Sequence, residues 1–170
     1  AFHKMSPKAF DLVHEVHVRG SFAMTRAAWP HMRAAGYGRV VLITSVNGLY
    51  GQFGQANYSS AKAAMVGLAK TLAAEGSGKG ILVNALAPGG GTAMTATLMP
   101  AELVARWKPE YVVPCVAYLC SEECEASGRV FEAGGGWMAQ VRWQRSPGFF
   151  FDLERPFGPE EVRAAWHRVT

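Results

Sequence analysis

Asn57-Tyr58-Ser59-Ser60-Ala61-Lys62 puts a phenol and an ammonium four residues apart on one expected helix. Residues at that spacing stack on the same helical face. A phenol is a poor base near neutral pH, and a lysine ammonium held beside it favours the ionised form. At 4 Å and an effective dielectric near 20, such a charge is worth roughly 4 kcal/mol. The pair can then give and take a proton. Taken alone, it reads equally well as a surface tyrosine beside a solvated lysine, so the flanking sequence has to decide.

Upstream lies Arg39-Val40-Val41-Leu42-Ile43-Thr44, and downstream Ile81-Leu82-Val83-Asn84-Ala85-Leu86-Ala87. Both are short apolar, β-branched runs without polar alternation, the pattern of strands covered on both faces. Strand, helix and strand in that order predict a right-handed parallel βαβ unit. Projected at 100° per residue, Tyr58, Lys62, Met65, Ala69 and Leu72 share the side that faces the sheet. Ala63, Gly67 and Ala74 share another, small enough for a second helix to approach. Ser45 stands at the carboxyl end of the first strand, and Pro88-Gly89-Gly90-Gly91-Thr92 begins where the second ends. Ligands of open α/β sheets bind beyond the carboxyl ends of strands, so this edge is the expected site. The aromatic, glycine-containing residues 46–55 read as a loop.

Ser6-Pro7 is a helix-start signal, followed by Phe10, Val13, His14, His17 and Val18 at helical spacing. That helix is expected to kink or end near Trp29, because Pro30 lacks an amide hydrogen. His14-Glu15-Val16-His17 is one residue short of the zinc-binding HExxH spacing and has no third ligand, so no metal site is expected. Residues 95–106 read as a mobile cover over the site. Beyond it come a helix over 109–123, a short strand at Val130-Phe131-Glu132, and a final helix from Pro159 with Val162, Ala165 and Trp166 on one side. Phe149-Phe150-Phe151 is too short for a membrane span and is expected to pack on the domain or a partner.

The 170 residues are 49% hydrophobic and 18% charged, enough to bury one core, and no internal repeat or low-complexity tract interrupts them. The net charge of +4 is dispersed rather than gathered in a stripe, which argues against nucleic acid as a partner. No apolar run reaches the length of a membrane span. Cys115, Cys120 and Cys124 form no CxxC pair, and their odd number fits a reducing compartment.

Ser45, then Tyr58-Ser59-Ser60-Ala61-Lys62, then Asn84-Ala85-Leu86-Ala87-Pro88-Gly89 resembles, in order and separation, the short-chain dehydrogenase/reductase family. The resemblance implies a partial Rossmann-type, doubly wound parallel α/β sheet and a nicotinamide cofactor. It implies that Ser45 orients the substrate oxygen, Tyr58 exchanges its proton, and Lys62 holds the nicotinamide ribose while acting on the tyrosine. Pro88, Gly89 and Thr92 then line the nicotinamide pocket. His17 stands where many members carry an asparagine of a proton relay, and imidazole can both donate and accept. His17-Val18-Arg19-Gly20-Ser21-Phe22, residues 50–58, Lys108-Pro109-Glu110-Tyr111-Val112 and the stretch from Gly136-Trp137 to Arg142-Trp143 look like the (3R)-hydroxyacyl-CoA dehydrogenase domains of peroxisomal multifunctional enzymes. That closer likeness implies NAD as cofactor, an acyl-CoA substrate, fatty-acid β-oxidation in the peroxisome, and a homodimer in the full-length protein. The alternatives are an NADPH-dependent 3-oxoacyl reductase and a non-catalytic association module. The family's glycine-rich phosphate loop has no counterpart here, so residues 1–141 read as a truncated catalytic domain, 142–170 as a C-terminal extension, and the chain alone as binding cofactor weakly if at all and inactive by itself.

Overall fold

The structure, a computed structural model, describes residues 1–92, 97 and 100–170. A four-stranded sheet in the order β1-β2-β3-β4 organises it: β1 is Gly38–Ile43, β2 Ile81–Gly89, β3 Val130–Gly134 and β4 Trp137–Val141. The first three strands are parallel, with Ile43 beside Leu86 and Gly89 beside Gly134. β4 returns antiparallel, with Gly134 opposite Trp137. This is an α/β sheet with helices on both faces, as expected.

The helices are α1 (Pro7–His14), α2 (Gly20–Ala35), α3 (Val46–Tyr50), α4 (Ala56–Gly76), α5 (Ala101–Arg106), α6 (Val113–Leu119) and α7 (Pro159–Val169). On one face of the sheet Met65, Val66 and Ala69 of α4 pack against Leu42, Val83, Ala85 and Val130. On the other, Cys115 and Leu119 of α6 pack with Leu86, Cys124 and Ala133. Along β2, Ile81, Val83 and Ala85 join the first cluster and Leu86 the second, so both faces of the strand are covered and its sequence reads as a near-continuous apolar run.

The helix does not end near Trp29: α2 runs through Pro30 to Ala35. A helical proline removes one hydrogen bond and crowds one carbonyl, and here packing outweighs that cost. Trp29 and Met32 both sit against the core on one side of α2. The helix ends at Gly36, whose φ of 63° permits the left-handed turn. There Gly36 N–H donates to Arg33 O at 3.3 Å and Tyr37 N–H to Met32 O at 3.2 Å, pairing the last carbonyls. The irregularity lies earlier, in a single π turn over Glu15–Arg19 between α1 and α2. One added residue shifts the helix phase by about 100°. The shift lets α1 lie on the start of α4 while α2 turns Trp29 and Met32 to the core. At the α1 end of this run Ser6 Oγ accepts from Ala9 N–H at 3.2 Å, the cap expected from sequence.

Residues 46–55 are not all loop, because Val46–Tyr50 forms α3. The helix expected over 109–123 divides into a 3-10 turn, Pro109–Val112, and α6. β3 is two residues longer than expected and β4 was not expected at all. Gly135 and Gly136, with φ of 59° and 82°, make the two-residue turn that joins them. Part of the expected cover, residues 95–96 and 98–99, lies outside the described residues, as do 93–94, and its end is α5. After β4, Trp143 places its ring under Lys70 Nζ at 3.6 Å, which ties the chain to α4. Phe151 stacks on Phe157 and meets Phe149 edge to face, and Arg168 of α7 covers Phe149 at 4.2 Å. On α7 Ala165 is buried and Val162 half-buried, but Trp166 is exposed, so its apolar side is narrower than the sequence suggested.

Candidate functional site

Thr44 and Lys62 connect the strand to the helix that bears the phenol. Thr44, 1% exposed, continues the β1 ladder by donating its N–H to Leu86 O at 2.8 Å. Its hydroxyl donates to Lys62 O at 2.7 Å. The next residue, Ser45, caps α3 by accepting from Asn47 N–H at 3.2 Å. α3 can lie close against α4 because residue 48 is glycine: a Cβ there would stand 2.7 Å from Lys62 Cβ and 2.9 Å from Ala63 N. Ser45 is thereby held beside the turn of α4 that carries Lys62.

Lys62 is 8% exposed, and its Nζ donates to Ile43 O at 3.1 Å. Burial holds its pKa below the usual lysine value. No carboxylate pairs with it among the described residues. The ammonium lies 5.7 Å from the centre of the Tyr58 ring. An ammonium has three donors, and the described residues take up one.

The half-buried Tyr58 ring meets His17 edge to face, at 5.6 Å between ring centres. His17 is on the π turn, and α1 is fastened to the start of α4 on the same side. There Asn57 Nδ2 donates to Ala9 O at 3.1 Å, and His14 Nε2 lies 3.3 Å from Ser60 Oγ. Burial, then the Lys62 charge, lowers the His17 pKa. The imidazole is therefore biased to its neutral form, able to accept on one nitrogen and donate from the other.

Pro88, exposed, and Gly89, half-buried, end β2, and Thr92 lies three residues beyond, exposed. The register puts Pro88 two residues past Leu86, the partner of Thr44, on the same carboxyl edge as Ser45. Gly89 also has a neighbour that sequence did not foretell: a Cβ there would stand 2.9 Å from Cζ2 of Trp107. Asn84, 1% exposed, is structural, donating to Ala126 O at 2.7 Å and accepting from Arg129 N–H at 3.1 Å.

His17, Tyr58, Lys62 and the end of β1 thus form one group, with Ser45 adjoining it through α3 and Pro88 and Gly89 sharing its edge of the sheet. Sequence reasoning missed Thr44, Gly48 and Trp107, which touch the site only through residues distant in the chain. A cavity of about 940 Å³ lies elsewhere, between α2 and α4, lined by Phe22, Trp29, Leu68 and Leu72. It begins about 15 Å along α4 from Tyr58, so it is not where the proton-handling groups converge. No cluster of His, Cys, Asp or Glu suited to a metal occurs among the described residues, and no helix there is long and apolar enough to cross a membrane.

Comparison with known proteins gives these groups a context. A family model described as short chain dehydrogenase matches residues 1–103. Peroxisomal multifunctional enzyme type 2 of Mus musculus is 46% identical over 170 residues, covering 99% of this chain and 23% of that protein. The peroxisomal hydratase-dehydrogenase-epimerase of Neurospora crassa is 47% identical over 172 residues, 100% of this chain and 19% of that one. The solved full-length peroxisomal multifunctional enzyme type 2 of Drosophila melanogaster superposes with a TM-score of 0.91 at 38% identity, covering 100% of this chain and 31% of that one. The chain spans about a fifth to a third of the length of these relatives.

Proposed function

Since the chain belongs to the short-chain dehydrogenase family of oxidoreductases, we propose that it carries the catalytic groups of an NAD-dependent (3R)-3-hydroxyacyl-CoA dehydrogenase. The product is a 3-oxoacyl-CoA, the process fatty-acid β-oxidation, and the compartment the peroxisome. Support for the compartment and for dehydrogenase chemistry comes from likeness to proteins named peroxisomal multifunctional enzyme and hydratase-dehydrogenase-epimerase, and for a CoA thioester from likeness to proteins named acetoacetyl-CoA reductase. Residues 1–141 form the dehydrogenase unit and 142–170 an extension. Ala63, Gly67 and Ala74, all exposed on α4, are the helix face through which a homodimer would form.

The observation that carries the reading is the buried Lys62 ammonium, 5.7 Å from the Tyr58 ring and tied to Ile43 O. Tyr58 removes the proton of the substrate hydroxyl. Ser45 uses a lone pair to cap α3, which leaves its own O–H to hold the substrate oxygen as it becomes a carbonyl. The two donors of Lys62 not used by Ile43 suit a ribose diol, so the residues present fit a nicotinamide nucleotide, with Pro88, Gly89 and Thr92 lining the ring. When bound, that cofactor supplies the hydride acceptor. His17 passes the proton from the Tyr58 side toward solvent.

The sequence carries no counterpart of the family's glycine-rich phosphate loop, so turnover is expected only at high NAD concentration. The test is hydride transfer at saturating NAD from (3R)- and (3S)-3-hydroxybutyryl-CoA. Selective oxidation of the 3R substrate supports the proposal. Absence of any acyl-CoA-dependent NADH formation, or indifference to configuration, defeats it. Preference for NADPH and the 3-oxo substrate would point instead to a reductase.

A further inference from the structure

We propose that Trp107 sets the acyl-chain length the site accepts, its indole forming the wall of the pocket that receives the alkyl tail. The inference rests on the acyl-CoA reading above and goes beyond it by naming the residue that selects among substrates. Three glycines on two strand ends make room for this one ring. A Cβ on Gly89 would stand 2.9 Å from Trp107 Cζ2, on Gly134 2.9 Å from Nε1, and on Gly135 2.8 Å from Cδ1. Two more glycines receive the chain on either side of it: Gly91 donates its N–H to Trp107 O, and a Cβ on Gly90 would stand 3.2 Å from Pro109 Cα. The glycine run that ends β2 is therefore a seat for residue 107, built by the absence of side chains at five positions.

The seat fixes where the indole lies relative to the chemistry. Gly89 is three residues past Leu86 on β2, and Leu86 O accepts from Thr44, which clamps Lys62. At about 3.3 Å per residue the ring sits roughly 10 Å along the sheet from that clamp. An extended alkyl chain attached to a carbon held at Tyr58 reaches this distance only when it is of medium length or longer, well beyond a butyryl tail. Beside the ring is a cavity of about 510 Å³ lined by Leu103, Arg106, Trp107 and Gly135. That volume falls within the range of about 300–1,000 Å³ usual for small-molecule pockets. Among the described residues, two of the three lining side chains, Leu103 and Trp107, are large and apolar, so the cavity suits an alkyl tail. Arg106, which also lines it, is exposed, and the depression is open to solvent on one side.

The test titrates the chain and its Trp107→Ala and Trp107→Phe variants with (3R)-3-hydroxybutyryl-, hydroxydecanoyl- and hydroxypalmitoyl-CoA by calorimetry in the presence of NAD. Removing the indole is expected to raise the ratio of long-chain to short-chain affinity about tenfold or more, with phenylalanine giving a smaller shift. The proposal is overturned if that ratio is unchanged, or if only NAD affinity moves. Should Trp107→Ala not fold, the ratio in Trp107→Phe decides alone. Failure of the unaltered chain to bind any acyl-CoA would overturn the substrate reading itself, an outcome distinct from a chain that binds acyl-CoA with an unchanged length preference.

Discussion

The hydroxyl of Thr44 donates to the main-chain carbonyl of Lys62 at 2.7 Å, joining the end of β1 to the helical turn that carries the ammonium. Both residues are buried, and the bond sits between Ile43, whose carbonyl holds Lys62 Nζ, and Ser45, which caps α3. Strand end, ammonium and serine are positioned through this one junction. Replacing Thr44 by valine keeps the shape and deletes the donor. The expected cost is about 1 kcal/mol in urea unfolding, together with lower kcat, while Thr44→Ser should retain most of both.

Gly48 allows α3 to rest on α4. A methyl group there would stand 2.7 Å from Lys62 Cβ and 2.8 Å from the Lys62 carbonyl carbon. Backbone atoms cannot swing aside as a flexible side chain can. Gly48→Ala should therefore destabilise by about 1–3 kcal/mol and displace Ser45 along with α3. Thermal melting and kcat should fall together.

The His17 pKa is lowered by burial and by Lys62. A base with a depressed folded-state pKa binds fewer protons when folded than when unfolded, so stability rises with pH through that interval. The contribution is present in full above the ordinary value of 6.5 and is lost as pH falls through the lower folded value. Unfolding midpoints measured from neutral pH downward should decline less steeply in His17→Gln than in the unaltered chain. Identical slopes would place the pH dependence on other groups.

Burial also depresses the Lys62 pKa. The sign is the same: the favourable part appears only as pH rises above the ordinary 10.5, and near neutral pH the folded state bears the cost of a buried ammonium. Lys62→Met should therefore keep or raise the urea midpoint at neutral pH while removing turnover. A variant that loses stability and activity in parallel would make Lys62 a structural residue.

Much of the frame was legible because it depends on local chemistry. The apolar runs in β1 and β2, the Ser6 cap and the four-residue spacing of Tyr58 and Lys62 need no distant partner to be recognised. Pro30 misled because its local cost is outweighed by Trp29 and Met32 packing into the core. α3 was read as loop because glycine and aromatic residues disfavour a short helix, while its cap at Ser45 and its bed on Lys62 come from elsewhere in the chain. Gly134-Gly135-Gly136 signals a turn, but β4 needs β3 as its template. Trp107 was invisible for the same reason: the glycines that seat it come from two strands.

The account stands or falls on whether the phenol beside the buried ammonium handles the substrate proton. Steady-state oxidation of (3R)-3-hydroxybutyryl-CoA at saturating NAD, compared between the unaltered chain and Tyr58→Phe, tests this most directly. Loss of kcat by about 10²–10⁴-fold with unchanged circular dichroism and acyl-CoA affinity is the predicted result. A Tyr58→Phe chain that oxidises the substrate within a few-fold of the original rate would contradict it.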